Sequence, residues 1–338
     1  FKEHYLKFED IVFASFHFLR KKKYIRKYHF YDKWDFTQVI CEEITSSKDY
    51  YSKVNAILNY KFAKNLSDDK ITIKKTINWF ENQVIDKGWN LGFRRYFKNV
   101  KTYGYQGFLN VPHYMHLFPA EYEEKAKVIP SELITIGKAY KDLKKEFFTK
   151  LKVSVGPALN YRDIFKMNPK TNKIEVLMIL TGIKDYDLKL LEWAQKVIEV
   201  NKNLKITIKP HPMSPDDNVL ILSNLPANFI VKEEKLSSLF EQTRIVISSG
   251  PTGAPIESLA YNCFLLVPVI DPIDEYNLKS LKISQKKYSL VYNKHELAEE
   301  IKKQINKKYI TKGNDKNNLK IRNFLFEKIS NKNMRYYY

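Results

Sequence analysis

Short apolar runs alternate with amphipathic stretches from about residue 174 onward. Residues 174–180 read IEVLMIL, which is typical of a buried strand, and residues 186–200 carry apolar side chains at roughly helical spacing. The alternation continues with predicted strands at residues 204–208, 228–231, 244–247 and 264–270, and with predicted helices at residues 236–242, 254–261 and 294–305. This pattern indicates βα units on a parallel sheet, so we expect a Rossmann-like C-terminal half.

The first 150 residues give a weaker pattern. Residues 39–58 and 77–96 are partly helical in spacing, and residues 101–108 and 133–136 read as short strands. The simplest account is a second α/β domain of similar size.

Length supports a division into two domains. The chain has 338 residues, and a single hydrophobic core stops growing at roughly 250–300 residues. The polar, turn-forming segment MNPKTNK at residues 167–173 is the best candidate for a linker. We therefore expect an N-terminal domain at residues 1–166, a C-terminal domain at residues 167–305 and a basic helical tail at residues 306–338.

The segment ITIKPHP at residues 206–212 places two ionisable side chains at the end of a predicted strand. Lys209 and His211 lie there, and the carboxyl ends of strands are where open α/β sheets bind ligands. Pro210 and Pro212 remove backbone donors and stiffen the turn. Lysine supplies positive charge and imidazole can donate a hydrogen bond or a proton, so the pair suits a phosphate. The alternative is that His211 only caps a turn.

A second polar turn lies in the segment IVISSGPTGAPIESLAYN at residues 245–262. The turn between the predicted strand and helix contains Ser248, Ser249, Gly250 and Thr252. Backbone N–H groups and the helix dipole favour an anion there, and Glu257, one turn into the helix, can accept hydrogen bonds from ribose hydroxyls. The alternative is an ordinary helix capped by Ser249 or Thr252, with Glu257 solvated. We expect the two turns to end neighbouring strands of one sheet, which favours a nucleotide-phosphate site.

The two turns, KPHP and SSGPTGAPIES, resemble the donor-binding half of GT-B glycosyltransferases that build bacterial surface polysaccharides. They look closest to enzymes that use CMP-activated sugars, the Kdo and sialic-acid transferases with His-Pro and Ser-Ser motifs. The resemblance implies an α/β GT-B fold of two Rossmann-like domains facing a cleft. It also implies that His211 and the Ser248–Ser249 pair contact the nucleotide phosphate and that Glu257 holds the ribose. CDP-glycerol-type polyol phosphotransferases share a related architecture.

The N-terminal half contains a second match, in WFENQVIDKGWNLGFRR at residues 79–95 and YGYQGFLNVPHYMHLFP at residues 103–119. These segments resemble a surface-carbohydrate biosynthesis group in which Glu-Asn-Gln precedes a helix with a late Arg, and a Gly-aromatic-Gln strand end precedes a loop and a Pro. Gly107 stands where that group usually has His. The two resemblances together cover roughly residues 75–305.

Candidate catalytic and acceptor-side residues lie in these segments and just before the linker. Glu81 is the leading catalytic carboxylate, because it can deprotonate an acceptor hydroxyl or attack the anomeric carbon. The alternative is a helix-capping role. Asp163 is a second candidate nucleophile or base, and His211 is a candidate proton donor to the leaving phosphate. The acceptor-side candidates are Gln83, Arg94, Gln106, His113, His116 and Arg162, of which the last suits a donor carboxylate or phosphate.

The charge of the chain lies mainly at its two ends. The formal charge is +20, and residues 1–30 hold eight basic against three acidic side chains, whereas residues 301–338 hold eleven against two. A uniformly basic groove is therefore not expected, and we predict no nucleic-acid partner. A solvated charged face is the default interpretation of the ends. The functional alternative is attraction to an anionic membrane surface, because the acceptor of such enzymes is commonly lipid-linked.

Cysteine and histidine usage argues against disulfides and metal sites. Cys41 and Cys263 lie far apart in the sequence, which predicts a reducing, cytoplasmic setting. His113 and His116 lack a plausible third ligand nearby. The longest apolar runs fall short of the ~20 residues that span a bilayer. We expect no metal, no cofactor beyond the nucleotide-sugar substrate, and a place in the cytoplasm or at the inner membrane face.

The function that fits these residues is metal-independent transfer of a Kdo-like or sialic acid-like sugar. The donor would be CMP-activated, and the acceptor a surface polysaccharide or lipopolysaccharide, either free or lipid-linked. Two alternatives remain open. One is a CDP-glycerol-type polyol phosphotransferase, and the other is a noncatalytic subunit of a polysaccharide assembly complex, which would not need Glu81.

Overall fold

The computed structural model describes most of the chain. The described residues are 1–25, 29–46, 49–109, 114–167, 174–212, 222, 225–250, 252–307 and 316–334. The chain divides into two compact units. Unit 1 comprises Phe1–Gln106, His116–Ile134 and Lys144–Ser154, and unit 2 comprises Gly107–Met115, Thr135–Leu143 and Val155–Tyr338.

The N-terminal half contains helices and two small sheets. Its described α-helices are α1 (Phe8–Ser15), α2 (His17–Ile25), α3 (Thr37–Ser46), α4 (Tyr50–Asp68), α5 (Val84–Tyr96) and α6 (Glu121–Lys125). Its described strands are β1 (Phe30–Tyr31), β2 (Trp34–Asp35), β3 (Lys75–Trp79), β4 (Lys101–Gln106), β5 (Glu132–Thr135) and β6 (Val153–Val155). The first two strands form an antiparallel hairpin, and the other four form a sheet in the order β3-β4-β5-β6.

The C-terminal half alternates strands and helices as predicted. Its described strands are β7 (Ile174–Ile179), β8 (Ile206–Lys209), β9 (Phe229–Val231), β10 (Thr243–Ile247), β11 (Phe264–Pro268) and β12 (Tyr288–Val291). Its described helices are α7 (Lys184–Val200), α8 (Leu236–Gln242), α9 (Ala254–Ala260), α10 (Pro272–Lys279), α11 (Lys294–Asn306), α12 (Lys316–Leu325) and α13 (Asn331–Met334). Described 3₁₀ helices are Lys2–Tyr5, Met115–Leu117, Lys138–Tyr140, Leu143–Lys145, Leu159–Lys166 and Gln285–Lys287.

The six C-terminal strands form one sheet in the order β12-β11-β10-β7-β8-β9, with parallel pairing between every two neighbours. The α/β prediction for this half is confirmed. Apolar side chains that alternate along these strands pack against α7 and α11, in a core that includes Val176, Trp193, Ile208 and Leu297. The burial of both sheet faces explains why the strands read as near-continuous apolar runs in the sequence.

One expectation about this sheet is wrong. The turns after Lys209 and Ile247 were expected to end neighbouring strands, but β7 lies between β8 and β10. Two interstrand spacings, about 10 Å, therefore separate these strands. The first strand of a doubly wound sheet occupies its centre, and the order of later strands reverses there. That switch point lies between β7 and β10.

The N-terminal half departs from the sequence pattern in detail. Residues 77–96, predicted to be partly helical, begin within strand β3 and become helical only at Val84. β3 pairs in parallel with β4, with Trp79 opposite Tyr105. The apolar residues Ile77, Trp79 and Phe80 fit either periodicity over so short a stretch, so the pattern alone did not separate strand from helix.

Helices α4 and α5 pack unusually closely. A Cβ placed on Gly88 would lie 1.8 Å from the carbonyl oxygen of Ala56. Glycine is therefore required at this point by the approach of the two backbones and not by its dihedral angles.

The described part of the basic C-terminal tail packs into unit 2. Leu325 and Phe326 are fully buried, and the backbone of Glu327 is hydrogen-bonded to Ile136 O and Ala158 N. The ring of Tyr161 lies 4.8 Å from that of Phe326. This part of the tail is therefore an integral element of unit 2. In the described part of the chain, we find no helix with the length and apolar character needed to cross a bilayer.

Candidate functional site

The loop after the central strand β7 is held by a buried carboxylate. Asp187 accepts hydrogen bonds from Thr181 N (2.6 Å), Thr181 Oγ1 (2.8 Å) and Gly182 N (3.0 Å). Burial raises the pKa of Asp187, and these hydrogen bonds and the nearby His211 oppose that shift. Gly182 has φ +78°, in the region that favours glycine. The loop at the switch point is thus fixed by three short-range contacts.

A buried carboxylate of α10 holds the turn after β10. Asp274 Oδ1 accepts a hydrogen bond from Gly250 N at 3.0 Å, and Asp274 Oδ2 accepts from Ile270 N and Asp271 N. Gly250 has φ +78°, and a Cβ there would lie 3.0 Å from Thr181 Cγ2. The turn therefore lies against the β7 loop. The Gly250 N–H, one of the donors expected to face an anion, is engaged within the protein.

The hydroxyl groups of this turn differ in their partners. Ser249 Oγ donates a hydrogen bond to Pro268 O. Ser248 Oγ and Thr252 Oγ1 are also buried, but neither has a hydrogen-bond partner among the described residues. A buried hydroxyl without a partner costs about 1–3 kcal/mol, so both atoms are candidates for binding a ligand. The role of this turn in binding stays a prediction, and the two hydroxyls without a partner among the described residues are those of Ser248 and Thr252.

The cavity beneath the turn is too small for a nucleotide. Ser249, Gly250 and Thr252 line a space of about 10 Å³, together with residues of α9 and α10. This volume accommodates about one water molecule. A phosphate group bound to this turn would therefore lie on its outer side, near the ring of Tyr186.

Tyr186 is a neighbour of this turn that the sequence did not indicate. Two of its ring carbons lie 3.3 Å and 3.4 Å from the position of a Cβ on Gly250. Burial raises the pKa of Tyr186 to about 12, with further contributions from Asp274 and Asp271. The phenol is therefore neutral at physiological pH, and its ring lies beside the turn.

The KPHP segment lies on the other side of β7. Lys209 ends strand β8, and its Nζ donates a hydrogen bond to Glu233 O at 3.2 Å. His211 is half-buried and lies close enough to Asp187 to influence the pKa of that carboxyl. Pro212 is exposed. The imidazole is thus associated with the central β7 loop, while the Ser-Ser turn contacts the same loop from the opposite side.

Glu257 occupies the first turn of α9. Burial raises the pKa of its carboxyl to about 7, and the Lys235 ammonium opposes this shift. The same carboxylate contributes to a raised pKa of the buried Tyr261, whose main cause is burial. Glu257 is therefore not the solvated surface carboxylate of the alternative interpretation. A desolvated carboxylate near neutrality can accept hydrogen bonds from ligand hydroxyls.

Asp163 and Arg162 lie in the 3₁₀ segment that ends at Lys166. Asp163 Oδ2 accepts a hydrogen bond from Lys235 Nζ at 2.5 Å, and this bond lowers the pKa of Asp163. Arg162 is exposed. Lys235 thus connects Asp163 with the surroundings of Glu257.

In unit 1, the Glu-Asn-Gln segment forms the loop between β3 and α5. Asp86 accepts hydrogen bonds from Glu81 N (3.0 Å), Gln83 N (3.1 Å) and Asn78 Nδ2 (3.2 Å). Burial raises the pKa of Asp86, and Glu81 adds to that increase while the hydrogen bonds oppose it. The sequence signal for Asp86 was its place three residues after Gln83, the spacing of a capping box.

The middle residue of the segment is structural. Asn82 is buried with φ +58°, and its Nδ2 donates to His116 O (2.8 Å) and to both carboxylate oxygens of Glu123. Lys87 Nζ contacts both Asn82 Oδ1 and Glu123 Oε1. This buried network fixes the loop, so that the residues on either side of Asn82 face outward.

Glu81 and Gln83 line a pocket of about 300 Å³. Glu81 accepts hydrogen bonds from Trp79 Nε1 (2.7 Å) and Gln83 Nε2 (2.8 Å). The other lining residues are Asn59, Asn78, Trp79, Ile85, Asp86 and Trp89. Trp89 Nε1 and Asn78 Oδ1 are buried without a hydrogen-bond partner among the described residues. Indole rings combined with amides and a carboxylate suit a polyhydroxylated ligand with an apolar face.

Gln106 and Lys144 are buried within unit 1. Gln106 Nε2 (3.2 Å) and Lys144 Nζ (3.0 Å) both donate hydrogen bonds to Leu117 O. Lys144 is fully buried with its ammonium 4.1 Å from the centre of the Phe118 ring, and burial lowers its pKa well below the ordinary value. The side chain of Gln106 therefore faces the interior of unit 1.

The remaining acceptor-side candidates either form contacts within the protein or lie outside the described residues. Arg94 forms a bidentate ion pair with Glu124, at 2.6 Å and 2.7 Å, and donates to Ile129 O. His116 is exposed, and its carbonyl is bound by Asn82. His113 lies outside the described residues. No group of three His, Cys, Asp or Glu side chains suited to a metal ion occurs among the residues that the structure describes.

Comparison with known proteins gives matches in fold and none in sequence. No protein-family model matches the chain, and no curated protein matches it in sequence. A putative UDP-N-acetylglucosamine 2-epimerase from Listeria monocytogenes is similar with a TM-score of 0.51 and 10% identity, over 80% of this chain and 74% of that one. The glycotransferase of kitacinnamycin has a TM-score of 0.51 and 11% identity, over 81% and 78% of the two chains.

A third solved structure, that of TarM, has a TM-score of 0.51 and 17% identity, over 83% of this chain and 57% of that chain. Identities this low establish the fold and leave the activity open. The parallel sheets and these similarities together show that the chain has the α/β GT-B fold.

Proposed function

We propose that this protein is a glycosyltransferase that moves a sugar from a nucleotide-activated donor to a glycan acceptor. The observation that carries the proposal is the switch point of the C-terminal sheet, where the β7 loop contacts a turn with two buried hydroxyls, Ser248 Oγ and Thr252 Oγ1, that lack partners among the described residues. Ligands of open α/β sheets bind at this point. The GT-B fold is consistent with sugar transfer.

We propose that the phosphate of the donor binds on the outer side of this turn. Ser248 and Thr252 would donate hydrogen bonds to it after their side chains rotate toward the outer side, since both hydroxyls are buried and have no partner among the described residues. His211 and Lys209 approach from the other side of β7, about 10 Å away across two interstrand spacings. They would therefore act on a different part of the donor, or on the leaving phosphate as it moves, instead of sharing one phosphate oxygen with the turn.

Glu257 is proposed to accept hydrogen bonds from the ribose hydroxyls. It lies one turn into the helix that follows the phosphate-binding turn, and burial raises its pKa to about 7. The carboxylate of Glu257 has lost hydrogen bonds to water through burial, and two ribose hydroxyls would donate hydrogen bonds in their place. This would favour the charged form of the carboxylate. The donor nucleotide is proposed to be CMP with a Kdo-like or sialic acid-like sugar, supported by the His-Pro and Ser-Ser pairs.

The acceptor is proposed to bind in the Glu81 pocket of unit 1. Trp79 and Trp89 offer aromatic surface, while Asn78 and Gln83 offer hydrogen-bonding groups for sugar hydroxyls. Glu81 would take the proton from the acceptor hydroxyl while the oxygen of that hydroxyl attacks the anomeric carbon. The indole and amide donors at Glu81 hold the carboxylate in place for that step.

We propose that transfer needs no metal ion. Lys209, His211 and the hydroxyl donors of the turn would balance the charge of the leaving phosphate. Turnover is therefore expected to continue in EDTA. A loss of turnover in EDTA that Mg²⁺ or Mn²⁺ restores would contradict this proposal.

A nucleotide panel tests the donor site. CMP is expected to raise the melting temperature more than CDP, UDP, GDP or ADP, because a ligand that binds only the folded state stabilises it by about 2.7 kcal/mol at a concentration of 100 times its Kd. Differential scanning fluorimetry measures this shift. A selective shift with UDP, the nucleotide in the name of the Listeria neighbour, would overturn the cytidine assignment, and a selective shift with CDP would favour the polyol phosphotransferase.

Two variants serve as controls for the position of that site. Thr252→Val removes a hydroxyl that has no partner among the described residues, so the melting temperature should hold while CMP affinity falls at least tenfold, the worth of one hydrogen bond to a charged group. Ser249→Ala removes the hydrogen bond to Pro268 O and should cost about 1 kcal/mol of stability with a smaller effect on CMP binding. The reverse pattern would place the nucleotide elsewhere.

A further inference from the structure

Helix α1 buries a carboxylate and exposes its large apolar side chains. Asp10 and Ala14 face α4 and are 5% and 0% exposed. The Asp10 carboxylate forms an ion pair with Lys61 Nζ at 3.2 Å and accepts a hydrogen bond from Asn65 Nδ2 at 2.7 Å. A helix that only packed on its own protein would turn its large apolar residues to this side.

Five large apolar residues of α1 and the start of α2 form an exposed group, here called the apolar row. They are between 39% and 78% exposed, and they are Phe8, Ile11, Val12, Phe16 and Leu19. Phe8, Ile11 and Val12 lie along one side of α1 at helical spacing, Phe16 is the residue between the two helices, and Leu19 lies in the first turn of α2. Scattered exposed apolar residues are ordinary, but these five large ones within residues 8–19 indicate a surface that binds something.

Positive charge accompanies this row. Helix α2 reads HFLRKKKYI, and the first 30 residues hold eight basic against three acidic side chains. Arg20 lies with its guanidinium 3.7 Å from the centre of the Phe13 ring and donates to Phe13 O. An apolar helix face next to a Lys- and Arg-rich segment is the pattern of helices that lie in the surface plane of an anionic membrane.

We infer that α1 and the start of α2 bind an anionic lipid bilayer, with the apolar row in the boundary between headgroups and acyl chains. The positive charge of the chain favours an anionic bilayer over a second copy of the chain as the binding partner of this row. Each copy carries a formal charge of +20 with an excess of basic residues beside the row, and apposition of like-charged surfaces opposes self-association. A bilayer rich in anionic lipid attracts the same residues. The inference does not depend on the proposed sugar transfer.

Vesicle co-sedimentation of the full chain tests this inference. Binding to vesicles of two parts phosphatidylcholine to one part phosphatidylglycerol is expected, with much weaker binding to phosphatidylcholine alone. The test variant replaces part of the row by serine: Phe8→Ser, Ile11→Ser, Val12→Ser and Phe16→Ser. It should lose about 100-fold in vesicle affinity, because each buried side chain of this type contributes strongly to apolar burial. Its melting temperature should hold, since these side chains face solvent.

A matched control carries serine at two exposed apolar positions of α7, Leu188 and Val200. It should bind anionic vesicles as the parent does. Should the four-site variant not fold, the single substitution Phe16→Trp provides a second measurement in an otherwise intact protein. Quenching of its added fluorescence by brominated lipid is expected, whereas the corresponding Leu188→Trp variant should show no added quenching.

Three results would overturn the inference. One is the absence of binding to either kind of vesicle. Another is equal binding of the four-site variant and the control to anionic vesicles. The charges alone would then explain binding, without insertion of the row into the bilayer. The third is a concentration-dependent dimer that the four-site variant abolishes, since a second copy of the chain would then cover the row.

Discussion

Replacement of Glu81 by glutamine is expected to lower the rate of sugar transfer by about 10²–10⁴-fold, the usual contribution of a general base. Glutamine keeps the size of the side chain and one acceptor oxygen, so it preserves one of the two hydrogen bonds that Trp79 Nε1 and Gln83 Nε2 donate to different oxygens of Glu81. The loop should keep its shape, because Asp86 and Asn82 hold it from the other side. Nucleotide binding should be unchanged, since Glu81 belongs to unit 1 and the proposed nucleotide site to unit 2.

The matched control is Glu121→Gln, at an exposed ion pair with Lys125 on α6. It should leave the rate of transfer within twofold of the parent. A parental rate in the Glu81 variant would contradict its role as base. If Asp163→Asn removed transfer instead, the catalytic carboxylate would be the one paired with Lys235. Full retention of activity in both variants would favour a noncatalytic role for these side chains.

Replacement of Glu257 by glutamine is expected to stabilise the unliganded protein at pH 8 by up to about 3 kcal/mol, since one pKa unit corresponds to about 1.4 kcal/mol. The carboxyl has an ordinary pKa of 4.5 in an unfolded chain and of about 7 in the folded protein. Between these values the folded state binds a proton that the unfolded state has lost. The stability from this group is therefore greatest below pH 4.5 and is lost as the pH rises through 7.

The glutamine variant has no such proton, so its advantage should grow between pH 4.5 and 7 and stay constant above that range. Melting temperatures over this pH range measure the effect. Glu299→Gln, at an exposed position of α11, is the control and should follow the parent. The same Glu257 variant should weaken nucleotide binding, because an amide replaces the carboxylate proposed to hold the ribose. Equal pH profiles for parent and variant would contradict the burial of Glu257.

The C-terminal half was predictable from sequence because its strands are buried on both faces. Apolar runs such as residues 174–180 leave little choice of element, and polar turns with Gly and Pro mark their ends. Strand order was not predictable, since any order of six strands is compatible with the same runs. Only the structure places β7 between the two polar turns.

The candidate site was predictable as two turns and not as individual contacts. The sequence does not distinguish Ser248 from Ser249. In the structure, Ser249 Oγ donates a hydrogen bond to the carbonyl oxygen of Pro268, at the end of the next strand. Asp187, Asp274 and Tyr186 were missed because their roles depend on contacts between distant segments. In the Glu-Asn-Gln segment, likewise, only the network with Glu123 reveals that Asn82 is the structural member.

The measurement that tests the central claim most directly is the release of nucleotide from nucleotide sugars, followed by ³¹P NMR in the presence of EDTA. The protein is supplied with CMP-Kdo, CMP-sialic acid and UDP-N-acetylglucosamine, each with and without a surface glycan acceptor. Acceptor-dependent release of CMP from a CMP-sugar, reduced in the Glu81→Gln and Thr252→Val variants, is the predicted result. Release of UDP with no release of CMP, or release that both variants leave unchanged, would contradict the account.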